Sequence, residues 1–110
     1  MISSVRGQVI SLAPDAAVID VGGIGVRVMC SPTTLASLRL GEVARVSTSL
    51  VVREDSLTLF GFVDDDECSV FESVQTVSGI GPRLAQSLLA ALSPDELRRA
   101  VANDDTAMLT

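Results

Sequence analysis

The spacing of apolar residues changes once along this chain, near residue 64, and that change limits what it can fold into. Before that point apolar and polar residues tend to alternate, the period of half-buried strands. Beyond it apolar residues recur every three or four positions, the period of helices packed on one face. A β-rich unit followed by a helical unit is the α+β arrangement such a switch predicts.

Val5, Val9 and Leu12 mark a first strand, and residues 17–21 begin a second. Gly22-Gly23-Ile24-Gly25 then turns the chain into the alternating run 26–30, as a hairpin needing positive φ would. Residues 32–40 predict a short helix with Ser31 as its N-cap and Gly41 as its stop. A long strand over 43–52 and its partner over 57–63 are joined by a turn at Arg53-Glu54-Asp55-Ser56. Five short strands and one short helix fit a small closed barrel, because closure removes edges that would pair with other chains. An OB-type barrel is the first choice and an SH3-like barrel the alternative.

The acidic run Asp64-Asp65-Asp66-Glu67 precedes Val70, Phe71, Val74 and Val77 at helical spacing. Carboxylates favour a helix start through the dipole, so the run reads as a cap and boundary rather than a metal site. The division expected is a barrel domain over 1–63 and a helical domain over 64–110. A second helix over 82–92 would present Leu84, Leu88, Leu89 and Leu92 on one face. Ser93, Pro94 and Glu96 spell a capping box for a third, with Leu97, Ala100 and Val101 as its apolar side. Residues 104–110 begin a further helix with no glycine, proline or basic stop signal, so the helical domain is expected to be truncated at its C-terminus.

Charge narrows the functions available. The formal net charge of −6 argues against a general polyanion binder, so any nucleic-acid surface must come from segregating charges by face. All eight basic residues are arginines, suited to bidentate phosphate contacts. Tyr and Trp are absent and Phe occurs three times, which leaves little for stacking single-stranded bases. His is absent too, removing the usual neutral-pH acid–base group. Cys30 and Cys68 read as buried free thiols of a reducing cytoplasm. No apolar run approaches the ~20 residues that cross a bilayer.

Two patterns carry chemistry. Ser78-Gly79-Ile80-Gly81-Pro82-Arg83 lies between two predicted helices. Glycines allow a tight bend and close approach of backbone to a ligand, and Pro82 suits the first position of the next helix. Amides at that helix start would form an anion cradle, with Arg83 adding a mobile charge. A plain tight turn is the competing reading. Neither glycine-rich loop ends in the Gly-Lys-Ser/Thr of a Walker loop, and no βαβ unit surrounds either. The second pattern is Glu54-Asp55 at a hairpin tip. A solvated turn, a catalytic pair, a metal site and a device that repels a polyanion all remain open there, although a lone pair without a third ligand is a poor Mg²⁺ site.

Taken together, Met1-Ile2 with Val5-Arg6-Gly7, Asp20 to Gly25, Val51-Val52-Arg53-Glu54-Asp55, Leu59-Phe60-Gly61-Phe62 and Ser78 to Ala85 occur in an order that resembles the RuvA family of bacterial Holliday-junction recognition subunits. The resemblance covers essentially the whole chain. It implies an N-terminal OB-fold domain and a helix-hairpin-helix domain that together bind four-way junction DNA in recombination and repair, without catalysis, cofactor or metal. It further implies a homotetramer, or an octamer on junctions. Its partners would be a RuvB-type ATPase motor, reached through a C-terminal domain that this chain lacks, and a RuvC-type resolvase. Ser78, Gly79, Ile80, Gly81 and Arg83 would hold duplex phosphates, and Glu54 and Asp55 would be acidic pins at the junction centre. Arg83 stands where the family often has Lys, and the family's second hairpin would follow the last residue here. A protein-binding OB scaffold and a metal-dependent nuclease using Glu54 and Asp55 are the competing functions.

Overall fold

Each alternating segment of the first sixty residues forms a strand in the computed structural model, which describes residues 2–102. The strands are β1 (Ser4–Leu12), β2 (Ala16–Val21), β3 (Ile24–Cys30), β4 (Val43–Arg53) and β5 (Ser56–Phe62). They close in the order β1-β2-β3-β5-β4. β3 pairs with β5 in parallel, whereas the other neighbours are antiparallel. That crossover gives the OB-type order rather than a simple meander. The interior holds Val5, Val9, Ala17, Ile19, Val28, Cys30, Leu38 and Val46. Fully burying a Val or Ile side chain contributes roughly 1.5–3 kcal/mol relative to leaving it in water.

Local chemistry fixes the register. Gly22 and Gly23, at φ 60° and 94°, fill a two-residue turn between the paired Val21 and Ile24. Asp20 Oδ1 accepts the Gly23 N–H at 2.8 Å and braces that turn. In β1 the pairing slips between Val9 and Ser11, so Ile10 is the extra residue of a bulge. Leu12 beyond it is 42% exposed, although Val5 and Val9 are buried. Gly61 faces the interior so closely that a Cβ there would lie 2.4 Å from Val28 Cγ1. Its neighbours Phe60 and Phe62 therefore project from the other side of β5, where both are buried.

The short helix expected over 32–40 is α1 (Pro32–Ala36). Ser31 caps it, its Oγ accepting the Thr34 N–H at 3.3 Å. It stops early because Ser37 and Leu38 donate to Thr34 and Leu35, three residues back, and Ser37 Oγ also donates to the Thr34 carbonyl. These tighter turns end the α-helical ladder.

The chain divides into two compact units, the first ending at Asp65 and the second beginning at Asp66. Among the described residues three helices follow the barrel: α2 (Asp65–Ser78), α3 (Pro82–Ala91) and α4 (Pro94–Ala102). Cys68, Val70, Phe71 and Val74 on α2 are buried, but Val77 in the last turn is 55% exposed. On α3 the buried positions are Pro82 and Ala85, with Leu88, Leu89 and Leu92 half-buried. Leu84, predicted on the same face, is 45% exposed. The stripe 82-85-89-92 follows the helical period, and Leu84 lies off it. α4 begins with the expected capping box: Ser93 N–H donates to Glu96 Oε1 at 3.1 Å, and Glu96 N–H to Ser93 Oγ at 3.2 Å. The Ser93 backbone amide, and after it the Ser93 side chain, hold the Glu96 carboxyl below its usual range. Arg98 bonds Asp66 and Asp95, tying α4 to the start of the helical unit. The further helix expected over 104–110 lies outside the described residues. Cys30 and Cys68 are both buried, and neither forms a disulfide.

Candidate nucleic-acid interface

The turn between α2 and α3 is built by backbone geometry. Gly79 takes φ +70°, a conformation costly to residues with a Cβ, and its N–H donates to the Gln75 carbonyl at 3.0 Å. That pair makes an αL helix stop, closing α2 one residue after Ser78. Ile80 between the two glycines is half-buried. Gly81 is the N-cap of α3 at φ −77° and ψ 168°, with its carbonyl accepting the Ala85 N–H at 3.0 Å. Pro82 sits at the first helical position and is buried. Arg83 follows it on the exposed side.

The two glycines differ in why they are there. Gly79 is required by its positive φ. Gly81 has an extended backbone open to any residue, and a Cβ on it would meet nothing within 4 Å. No side chain caps α3 either. The first-turn amides of a helix have no acceptor within it, and they carry the positive end of the dipole. Gly81 therefore stands at a helix start without a side-chain cap, with open space where a Cβ would be. Exposed Val77 and Leu84 flank it in sequence. Backbone N–H groups at a helix start of this kind are able to hold an oxyanion.

The second candidate lies at the far end of β4. Arg53 and Ser56 are paired, leaving Glu54 and Asp55 as the two residues of the tip. Both are exposed, as is Arg53. The tip rests on the cross-strand pair Val52 and Leu57, which are 66% and 71% exposed. A pair of carboxylates on a protruding hairpin repels phosphate. At 4 Å two unit charges interact by about 4 kcal/mol at an effective dielectric constant of 20. Among the described residues, no three His, Cys, Asp or Glu come together in a way that could hold a metal ion. No described helix is long and apolar enough to cross a membrane.

Sequence reading placed both patterns on turns, but it missed the outer wall formed by β1 and β4. There Arg6 stands opposite Arg45. Arg45 and the buried Ser47 both reach the Asp65 carboxylate, which these interactions hold below its usual range, the Ser47 hydrogen bond contributing most. No local signal could have found this group, because its members are brought together by strand register across some forty residues.

Comparison with known proteins adds to this geometry. Residues 1–61 match the family described as RuvA N terminal domain, and residues 71–110 match the SAM-like Helix-hairpin-helix tandem. The chain is 64% identical over 110 residues to a protein of Streptomyces coelicolor named Holliday junction branch migration complex subunit RuvA, covering 100% of this chain and 55% of that one. A protein of the same name from Salinispora tropica is 60% identical over 110 residues, covering 100% of this chain and 55% of its own. One from Acidothermus cellulolyticus is 56% identical over 109 residues, covering 99% and 56% respectively. The chain spans about half the length of the curated relatives it matches.

Proposed function

The chain belongs to the RuvA family, and on that premise we propose that it binds four-way DNA junctions as a non-catalytic, structure-specific module. The observation that carries this reading is Gly81: a glycine that neither its backbone angles nor its neighbours require, at an uncapped helix start. A glycine in that place leaves room for a phosphate to reach the amides. The hairpin of Ser78, Gly79, Ile80, Gly81 and Arg83 holds the backbone of a duplex arm, and Glu54 and Asp55 face the junction centre. Opposite electrostatics at the two sites explain how a chain of net charge −6 binds a polyanion in one geometry and not everywhere.

In this reading four copies surround the crossover and bring eight carboxylates to its centre, holding the junction open while a hexameric ATPase of the RuvB type moves the arms. A RuvC-type resolvase would act on the same junction, in the cytoplasm. The barrel supplies the pins, and the helical unit supplies the phosphate contacts.

The test is a gel-shift titration of a synthetic four-way junction against linear duplex of the same sequence. Retardation of the junction at protein concentrations that leave the duplex free supports the reading. Equal binding to both overturns it in favour of non-specific attraction, and no binding favours a protein-binding barrel. Affinity for the junction should fall steeply with salt as phosphate contacts release counterions. Cleavage of the junction in Mg²⁺ would instead assign a nuclease.

A further inference from the structure

Strand pairing puts two arginines face to face on the outer wall of the barrel. Arg6 of β1 and Arg45 of β4 are direct cross-strand partners, with Ser4 opposite Ser47 one step along the same face. Opposed side chains on paired strands stand about 5 Å apart at Cβ, and like charges so placed repel. The chain does little to relieve this. Arg45 touches Asp65 Oδ1 at 3.5 Å and Ser47 Oγ at 3.4 Å, both at the outer limit of a hydrogen bond. The same Asp65 oxygen already accepts a much shorter bond from Ser47. Arg45 stays half exposed, and Arg6 makes no ion pair among the described residues. Yet the chain has fourteen acidic residues against eight basic ones, and Arg98 alone takes two of them. A chain with carboxylates to spare has not placed one against Arg6.

From this we propose that Arg6 and Arg45 form a clamp for one phosphodiester of a duplex arm, on the barrel and separate from the helical hairpin. It rests on the junction-binding reading. Two arginines on directly paired positions can bring their guanidinium forks onto the two non-bridging oxygens of one phosphate, a geometry a single lysine cannot reproduce. Ser47 and Asp65 touch Arg45 on one side, and its side chain stays half exposed. The ligand charge of −1 offsets positive charge that Asp65 balances only in part.

The experiment measures junction affinity of the intact protein against salt concentration, with melting temperature and oligomeric mass recorded alongside. Arg6→Gln should weaken junction binding about tenfold or more. It should also flatten the log–log salt dependence by about 0.9 for each phosphate that a subunit no longer neutralises. Its melting temperature should hold or rise, because a like-charge pair has been removed. Arg6→Lys should fall between, keeping the charge and losing the fork. Unchanged affinity and slope in Arg6→Gln overturn the clamp while leaving junction binding intact. A drop in oligomeric mass also overturns it, by assigning the pair to an interface between copies. A parent protein that shows no preference for the junction overturns both the clamp and the reading beneath it.

Discussion

Arg53 and Ser56 are direct partners across the β4–β5 ladder, so the loop between them has room for two residues only, and both are acids. Glu54 and Asp55 are thereby held on a stiff two-residue tip rather than a mobile loop. Neither is buried. Replacing them as Glu54→Gln with Asp55→Asn should therefore leave thermal stability within about 0.5 kcal/mol of the parent. Junction affinity should stay the same or rise as repulsion is removed, while strand separation by the complete branch-migration assembly changes. Gel-shift titration and a strand-exchange assay read these separately. A strong loss of binding would mean that the carboxylates make attractive interactions with the DNA.

The two hairpin glycines should respond in opposite ways. Gly79→Ala forces a Cβ into φ +70° and should cost about 1–2 kcal/mol of stability. Gly81→Ser meets open space and supplies the hydroxyl cap that α3 lacks, so stability should hold or rise by a few tenths of a kcal/mol. The same serine would occupy the anion's approach and should reduce junction affinity at least tenfold. Melting curves with paired gel shifts check both. Retained affinity in Gly81→Ser would show that the surface over Gly81 is not the binding surface.

What was legible in the sequence was whatever depends on near neighbours. The Gly22-Gly23 turn, the Ser93–Glu96 box and the two-residue tip at Glu54-Asp55 each follow from residues within a few positions of one another, and the structure contains all three. Leu84 shows where periodicity falls short. Four leucines at roughly helical spacing suggest one face, but the buried stripe passes through Ala85 and Pro82, because burial depends on what the helix packs against. The short α1 fails for a similar reason: its competing hydrogen bonds at Ser37 and Leu38 outweigh a plausible stop signal at Gly41. Arg6 and Arg45 were unreadable as a pair because only the register of β1 on β4 joins them.

The capping box links stability to acid pH. Ser93→Ala removes the acceptor for the Glu96 N–H and should cost about 1 kcal/mol. Glu96 has a depressed pKa in the folded chain, so it binds protons less readily there than in the unfolded chain. Its contribution is therefore present above the unfolded carboxylate value, near 4.3, and is lost as pH falls through the lower folded value. Asp65 has the same sign and adds to the same acid limb. Glu96→Gln keeps a side chain able to accept the Ser93 N–H but cannot titrate. It should be somewhat less stable than the parent at pH 7, lacking the carboxylate's contribution, and should converge with it in acid, showing a shallower loss of melting temperature between pH 5 and pH 3. An unchanged acid limb would remove Glu96 from the account.

The barrel should tolerate changes at its glycines in proportion to what a Cβ would strike. At Gly61 the obstacle is the Val28 side chain at 2.4 Å, with Cys30 Sγ at 3.3 Å. Side chains can shift, so Gly61→Ala should cost about 1–3 kcal/mol, the usual range for overpacking a core. At Gly7 the obstacle is the Asp20 carbonyl oxygen at 2.0 Å, which belongs to the backbone of the paired strand. It can yield only by parting β1 from β2, and the turn at Gly22-Gly23 that follows Asp20 would be dragged with it. Gly7→Ala should therefore be the more damaging change, lowering the denaturation midpoint further than Gly61→Ala or preventing folding. Adding Val28→Ala to Gly61→Ala should recover part of the loss by clearing the clash, while no single side-chain trimming should rescue Gly7→Ala. Equal rescue of both would mean that the β1–β2 spacing is softer than this barrel's closure implies.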